Sequence, residues 1–298
     1  MPRFSIVVPA YNAESTLADT LDAIAAQNWS EWECVIVDDG STDATPDVAG
    51  FYVSGDTRFT LHRQENQGTA GAYNTGVLAS TAELIVICSA DDLLLPSHLL
   101  TMAELADRNP TCGIYSSNGD YLLESGERRQ VYEGLDWECE RSLTLEDVLA
   151  CCFFSVGAVY RRSVFDLVGG YRVGVYGEDY DFWLRAMAKG ATHRYSPQVL
   201  ATHRLSGMQK SSDVLRVWRS NIEAYANLIE GGWVSADQRP VVCAAIESRG
   251  RLVRAYERRQ SLVGRLEVLS ERFTPMLGHD SVRRLRRFGG AVLRRLGF

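Results

Sequence analysis

Four short apolar runs in the first hundred residues, each followed by a stretch with helical spacing, constrain this chain more than any other feature. Residues 4–8, 34–37, 59–62 and 84–88 read as strands. Between the first two, Leu17, Leu21 and Ile24 recur at i, i+4 and i+7, the spacing of one helix face, which predicts a helix over about residues 15–27. Ser41-Thr42-Asp43 reads as a helix N-cap cluster. A helix with the small residues Ala70, Gly71 and Ala72 follows Gly68, and Pro96 opens another. This β-α-β-α order predicts an α/β fold, Rossmann-like, with a mostly parallel central sheet and helices on both faces. In such sheets ligands gather at the carboxyl ends of the strands.

Residues 113–133 change character. Strand-like runs at 113–117, 121–123 and 130–132, around the turn Ser125-Gly126, predict a hairpin or meander laid on the parallel core. Residues 144–150 predict a short helix and 155–160 a further strand. Gly177-Glu178-Asp179 starts a helix that runs to about Ala188 and ends at Gly190. After Ser211 the strand signal stops, and 213–298 reads as helices broken at Gly231-Gly232 and from Pro275 to Gly278. The expected division is an α/β domain over 1–210 and a C-terminal helical region over 211–298.

Two of the four strands run into paired aspartates, Asp38-Asp39 and Asp91-Asp92. Either pair alone reads as a turn with helix-capping aspartates. Both at neighbouring strand ends would bring four carboxylates to one cleft, where like charges call for a compensating cation. Hard oxygen ligands select Mg²⁺ or Mn²⁺ over zinc. Such an ion completes its shell with water and substrate phosphates, which suggests a nucleoside diphosphate ligand. A third acidic group, Glu178, Asp179 and Asp181, opens the helix at 177. Its plain reading is acids favoured by the helix dipole, with Trp183, Leu184 and Met187 as the core face. In the fullest reading Asp38, Asp39, Asp91, Asp92, Glu178, Asp179 and Asp181 all converge on that cleft. No GxGxxG follows the first strand and no GxxxxGKS/T occurs, which argues against a dinucleotide-dependent dehydrogenase and a P-loop enzyme.

The formal net charge of -7 hides a split. Residues 1–248 carry 18 Lys/Arg against 34 Asp/Glu, and residues 249–298 carry 13 Arg against 4 acids. An acidic body argues against nucleic-acid binding. The tail 281–298 holds six Arg, no acid, and apolar residues spaced three and four apart. It reads either as a terminal helix packed on the body or as a basic amphipathic helix on an anionic membrane surface. The region 213–280 offers a dimer interface, an acceptor cap or plain core. The longest mostly apolar run, 148–159, is 12 residues and too short to span a bilayer. The seven cysteines form no CxxC and no zinc spacing, which suits buried thiols in a reducing compartment. The expected location is cytoplasmic, with any membrane contact peripheral to the inner face.

Five segments in order resemble the family 2 inverting glycosyltransferases of the GT-A fold: FSIVVPAYNAESTL at 4–17, VDDGSTD at 37–43, Asn66-Gln67-Gly68 with Asn74-Thr75-Gly76, SADD at 89–92, and Gly169-Gly170-Tyr171 with GEDYDFW at 177–183. The resemblance covers about residues 3–205. It implies that Pro9, Tyr11 and Asp39 hold the nucleotide base, that Asn66 and Gly68 belong to the donor site, and that Asp91 contacts the ribose or diphosphate. It implies that Asp92 binds Mn²⁺ or Mg²⁺, and that Asp179, beside Glu178, is the general base that deprotonates an acceptor hydroxyl. Three positions depart from the family's habit. Ser89 stands where an aspartate is frequent, Tyr73 where an arginine is frequent, and His203-Arg204-Leu205-Ser206 where the family reads Tyr-Arg-x-His. Arg204 is then a donor contact. His203 is either the metal's imidazole or a partly buried structural histidine. Family habit favours a UDP- or dTDP-sugar donor; the acceptor is a glycan, a lipid-linked molecule or a small molecule, met by loops at 118–142 and 151–157. Two other functions compete: a catalytically weak nucleotide-sugar-binding relative, kept alive by Ser89 and Ser206, and a sugar nucleotidyltransferase. The latter normally has a Gly-rich basic loop after the first strand, where this chain has Pro9-Ala10-Tyr11-Asn12.

Overall fold

The structure is a computed structural model that describes residues 1–131, 140–150, 156–205 and 213–259. Strand β1 (Phe4–Ala10) is its centre, buried along nearly its whole length. It pairs in parallel with β2 (Trp32–Asp38) on one side and β4 (Leu84–Ile87) on the other, and β3 (Phe59–Arg63) adds to β2, also in parallel. Helices α1 (Leu17–Ala25), α2 (Thr45–Gly55) and α3 (Gly68–Ala79) connect these strands. A central parallel strand is covered on both faces, so β1 is apolar throughout rather than alternating.

The pleat still sorts its side chains. Phe4, Ile6 and Val8 join Leu17, Leu21 and Ile24 of α1 in one core, with Ala49 of α2. Val7 joins Ala70, Tyr73 and Val77 of α3 in the other. The small residues of α3 have a reason: a Cβ on Gly76 would lie 2.3 Å from Val7 Cγ1 and 3.3 Å from Val37 Cγ2. The helix rides directly on the sheet.

The second half of the sheet is mixed. After β4 come β5 (Leu93–Leu94), α4 (His98–Arg108), β6 (Ile114–Leu122), β7 (Arg128–Gln130), α5 (Leu145–Ala150), β8 (Val159–Arg161), α6 (Arg162–Val168), α7 (Glu178–Ala188), β9 (His193–Arg204) and α8 (Val214–Glu230). The strand order is β3-β2-β1-β4-β8-β6-β9-β5, with β7 paired to β6. The hairpin expected around Ser125-Gly126 is β6–β7, closed by Gly126 at φ 82. Two strands have no counterpart in the sequence reading. β5 is two residues long, and β9 runs parallel to β6 with register shifts across Ser117, Asn118 and Gly119. β9 carries Pro197 and no clean alternation, so its pattern does not announce a strand.

The chain divides into two compact units, Met1–Ile246 and Glu247–Phe298. Within the first, α8 packs on α7, where the Tyr180 and Tyr225 hydroxyls meet at 2.8 Å. Residues 239–246 are helical. Of the second unit, 247–259 are described and helical. The tail 281–298 lies outside the described residues, as do Ser206, the loop portions 132–139 and 151–155, and Cys139, Cys151 and Cys152. Cys34, Cys88 and Cys112 are buried free thiols, and Cys243 is exposed. Among the described residues no helix is long and apolar enough to cross a membrane.

Candidate active site

In the order β3-β2-β1-β4 the chain leaves β1 to one side for β2 and β3 and then crosses to β4. The crevice beyond the carboxyl ends of β1 and β4 is therefore the topological switch point, where ligands of open α/β sheets bind. The residues expected at the donor and metal surround it.

On the β1–β2 side two loops are stitched together. Asn12 stands at φ 49, alone among the described non-glycine residues in having a positive φ. Its backbone N–H donates to Ser41 Oγ at 3.0 Å, and its Oδ1 accepts from the Thr42 N–H at 2.9 Å. The N–H of Ala13 donates to Thr45 Oγ1 at 2.7 Å, and that of Glu14 to Asp43 Oδ2 at 3.1 Å. The expected cap cluster thus serves two loops as well as α2. These bonds hold Tyr11, 53% exposed, beside Asp39, which is buried. Asp39 Oδ1 accepts from Gln64 Nε2 at 2.7 Å and from the Gln67 N–H at 2.9 Å. Its Oδ2 makes no hydrogen bond among the described residues. The Gln67 bond also draws in Asn66, whose Oδ1 accepts from the Gly68 N–H at 3.2 Å. Gly68 opens α3 at φ 77. Pro9 lies within β1 opposite Val37 of β2, and the loops carrying Tyr11, Asp39, Asn66 and Gly68 are tied together just beyond it.

On the β4 side the register of β5 with β9 decides the geometry. Leu93 opposes Thr202, so one residue earlier Asp92 comes beside His203. His203 Nδ1 and Asp92 Oδ1 are 2.9 Å apart. The Arg204 N–H donates to the same Oδ1 at 3.2 Å, and Arg204 Nε to the Asp91 carbonyl at 3.2 Å. The Arg204 guanidinium also pairs with Asp19 Oδ2 at 2.8 Å. Asp92 is 1% exposed and His203 is partly so. Burial works against protonating the His203 ring. The hydrogen bond and charge of Asp92, with Asp91 and Asp179 behind it, nonetheless hold its pKa above the usual imidazole value. Asp179 is exposed in the first turn of α7, and its Oδ1 accepts from the Tyr180 N–H at 2.7 Å. Glu178 precedes it, and Gly177 caps the helix at φ 75. Burial pushes the Tyr73 hydroxyl far up, a hydrogen bond with Ser89 opposes this, and the charges of Asp179, Glu178 and Asp92 add to it. Asp92 and Asp179 thus bear on both Tyr73 and His203, residues that come from four separate segments.

The expected convergence of seven carboxylates does not occur. β1 lies between β2 and β4, so the strands that lead to the two aspartate pairs are not neighbours. Asp38 turns away: Oδ2 accepts from Arg63 Nε at 3.0 Å and Oδ1 from the Ser41 N–H at 3.0 Å. Asp181 lies on the other side of α7 from Asp179, because residues i and i+2 of a helix point apart. It is 1% exposed and pairs with Arg172 (Nε to Oδ2, 3.0 Å) and with the equally buried Arg185 (Nε to Oδ2, 2.8 Å). Arg185 also donates to the carbonyls of Val168 and Gly170 at 2.6 and 2.8 Å. Asp181 is thus structural. The i, i+4 spacing of Asp181 and Arg185 was the legible signal for this. Among the described residues no three His, Cys, Asp or Glu side chains cluster as metal ligands. The Asp92 carboxylate suits Mn²⁺ or Mg²⁺, ions that take oxygen ligands and fill most of their shell with water and substrate phosphates, while His203 is bound to its Oδ1.

Residues 5–169 match the sequence profile of Glycosyl transferase family 2. A PGL/p-HBAD biosynthesis glycosyltransferase of Mycobacterium bovis is 32% identical over 208 residues, covering 68% of this chain and 77% of that protein. Among solved structures, S. aureus TarS 1-349 in complex with UDP-GlcNAc superposes with a TM-score of 0.65 at 18% identity, over 84% of this chain and 72% of that one. The mannosyltransferase PcManGT from Pyrobaculum calidifontis, in complex with GDP-Man and Mn2+, gives 0.67 at 20% identity, over 98% of this chain and 80% of that one. With this fold and these motifs, the chain belongs to glycosyl transferase family 2 and has the GT-A fold.

Proposed function

We propose that the protein transfers a sugar from a nucleoside diphosphate sugar to an acceptor hydroxyl with inversion, and that Asp179 is the general base. The observation that carries the reading is the β5–β9 pairing at the switch point, which sets His203 Nδ1 and the Arg204 N–H on Asp92 Oδ1 at 2.9 and 3.2 Å. Asp179 stands exposed in the first turn of α7, a separate helix. Asp39 Oδ2 and the exposed Tyr11 ring hold the nucleoside, and Arg204 and Asp91 border the phosphates. Asp92, oriented by its hydrogen bond with His203, would hold Mn²⁺ or Mg²⁺, which when bound neutralises charge on the departing diphosphate. Asp179 is exposed in the first turn of α7, open to an incoming acceptor hydroxyl. Asp179 takes the acceptor proton as the acceptor oxygen forms its bond to the anomeric carbon and the diphosphate leaves from the opposite face. Related proteins bind UDP-GlcNAc and GDP-Man, so UDP-, GDP- and dTDP-sugars are all donors to try.

The test incubates the protein with each donor, with and without Mn²⁺, and measures free nucleoside diphosphate. Turnover of one donor, lowered roughly 10²–10⁴-fold in Asp179→Asn at unchanged donor affinity, is expected. Donor binding without turnover in the presence of candidate acceptors would refute the transferase in favour of a binding protein. Pyrophosphate release from a nucleoside triphosphate would refute it in favour of a nucleotidyltransferase.

A further inference from the structure

Asn74 lies in the middle of α3, a position where asparagine is a poor helix former. Its side chain spans 97 residues of sequence to reach one partner, Tyr171, and uses both ends of its amide there. Nδ2 donates to the Tyr171 carbonyl at 2.8 Å, and Oδ1 accepts from the Tyr171 N–H at 2.8 Å. The turn comes this close because Gly170 precedes Tyr171 at φ 79; a Cβ on Gly170 would lie 2.7 Å from Asn74 Oδ1.

Tyr171 transmits the lock. Its ring stacks on Phe182 of α7, centroids 4.3 Å apart and planes 14° from parallel, and lies 4.9 Å from the Tyr73 ring of α3. Arg185 of α7 donates back to the Gly170 carbonyl, and Arg172 pairs with Asp181. The turn at 169–172 and α7 are therefore one rigid piece, and Asn74 joins it to α3. The N-terminus of α3 is in turn fixed to Asp39 through the Gln67 N–H, and its Gly76 sits against Val7 of β1.

We propose that Asn74 is a positioning residue: by clamping both backbone groups of Tyr171 it sets the first turn of α7, and with it Asp179, relative to the loops carrying Tyr11 and Asp39. It touches no reacting atom. The inference rests on Asp179 being the base, as proposed above.

The experiment compares wild type, Asn74→Ala and Asn74→Asp in hydrolysis of whichever of UDP-, GDP- or dTDP-sugar the wild type turns over, with nucleoside diphosphate affinity by calorimetry and amide exchange across 171–181. Asn74→Ala should lower kcat by about 10²-fold, the scale of a 1 Å misplacement. KM and diphosphate affinity should stay within about threefold of wild type, well below the tenfold step that a lost contact gives. Exchange over 171–179 should accelerate. Asn74→Asp sets a carboxylate against the Tyr171 carbonyl and should be as poor at pH 8. Relative to wild type at the same pH it should recover as the pH falls towards 5, because a protonated carboxyl again donates to that carbonyl while accepting from the N–H. An unchanged kcat in Asn74→Ala, or equal losses in kcat and donor affinity, overturns the proposal, and so does an Asn74→Asp ratio that ignores pH. If the wild type turns over no donor, the reading of Asp179 fails. Amide exchange then decides the clamp by itself: unchanged exchange over 171–179 in Asn74→Ala overturns it.

Discussion

Replacing Asp181 by asparagine should unfold the protein at a lower temperature. The side chain is 1% exposed and is shared by two guanidiniums. Arg172 is one-third exposed and can turn to water, so little of the cost comes from it. Arg185 is 1% exposed and its other donors are committed to Val168 and Gly170, so it has nowhere to go. Removing one partner of a buried pair costs about 3–5 kcal/mol because the remaining charge stays buried without compensation. Asparagine keeps one acceptor oxygen, which places Asp181→Asn near about 3 kcal/mol. At about 2–4 °C per kcal/mol for a chain of this size, Tm should fall by roughly 6–12 °C in differential scanning calorimetry. Asp179→Asn, an exposed change two residues away, should move Tm by no more than about 2 °C. The double variant Asp181→Leu/Arg185→Met removes both charges and should be milder than Asp181→Asn. A Tm for Asp181→Asn within about 2 °C of wild type, or a loss of donor turnover at unchanged Tm, would refute the reasoning and return Asp181 to the site.

Two further predictions concern stability. His193 is buried with Nδ1 accepting from the Leu143 N–H at 3.2 Å and Nε2 against Ser116 Oγ at 2.7 Å, and burial holds its pKa down to about 3. Burial holds that of His98 down to about 4. Both folded values lie below the unfolded one, so the unfolded chain binds more protons as pH drops below about 6.5, and the two histidines should cost about 2 kcal/mol each by pH 5. Urea midpoints that match at pH 7.5 and 5 would contradict this. Gly76→Ala drives a methyl group into Val7 at 2.3 Å and should cost about 1–3 kcal/mol, read as a lower urea midpoint at unchanged slope.

The parts of the fold that could be read from the sequence were those written in local periodicity. The four parallel strands, the face of α1 and the span of α7 each follow from residues a few positions apart, because 2.0 and 3.6 residue repeats are local properties. The composition of α3 also carried a message, since only small residues let a helix approach β1 this closely. β5 and β9 were not legible. Two residues carry no period, and a strand with a proline and shifted register shows none. Yet their pairing brings His203 and Arg204 to Asp92 across more than a hundred residues of sequence.

The sequence by itself determined that acidic side chains stand at strand ends and at the start of α7, and that the chain carries the motifs of its family. It could not say which acids are free to act. Asp179 and Asp181 are the same residue type two positions apart; one is exposed and the other is closed in by two arginines. Asp38 and Asp39 divide in the same way: Asp38 accepts from Arg63, and Asp39 from Gln64 and the Gln67 N–H. A carboxylate's role depends on its burial and on the charge of its neighbours, and both are set by contacts between residues far apart in the chain. Only the tertiary structure supplies those contacts.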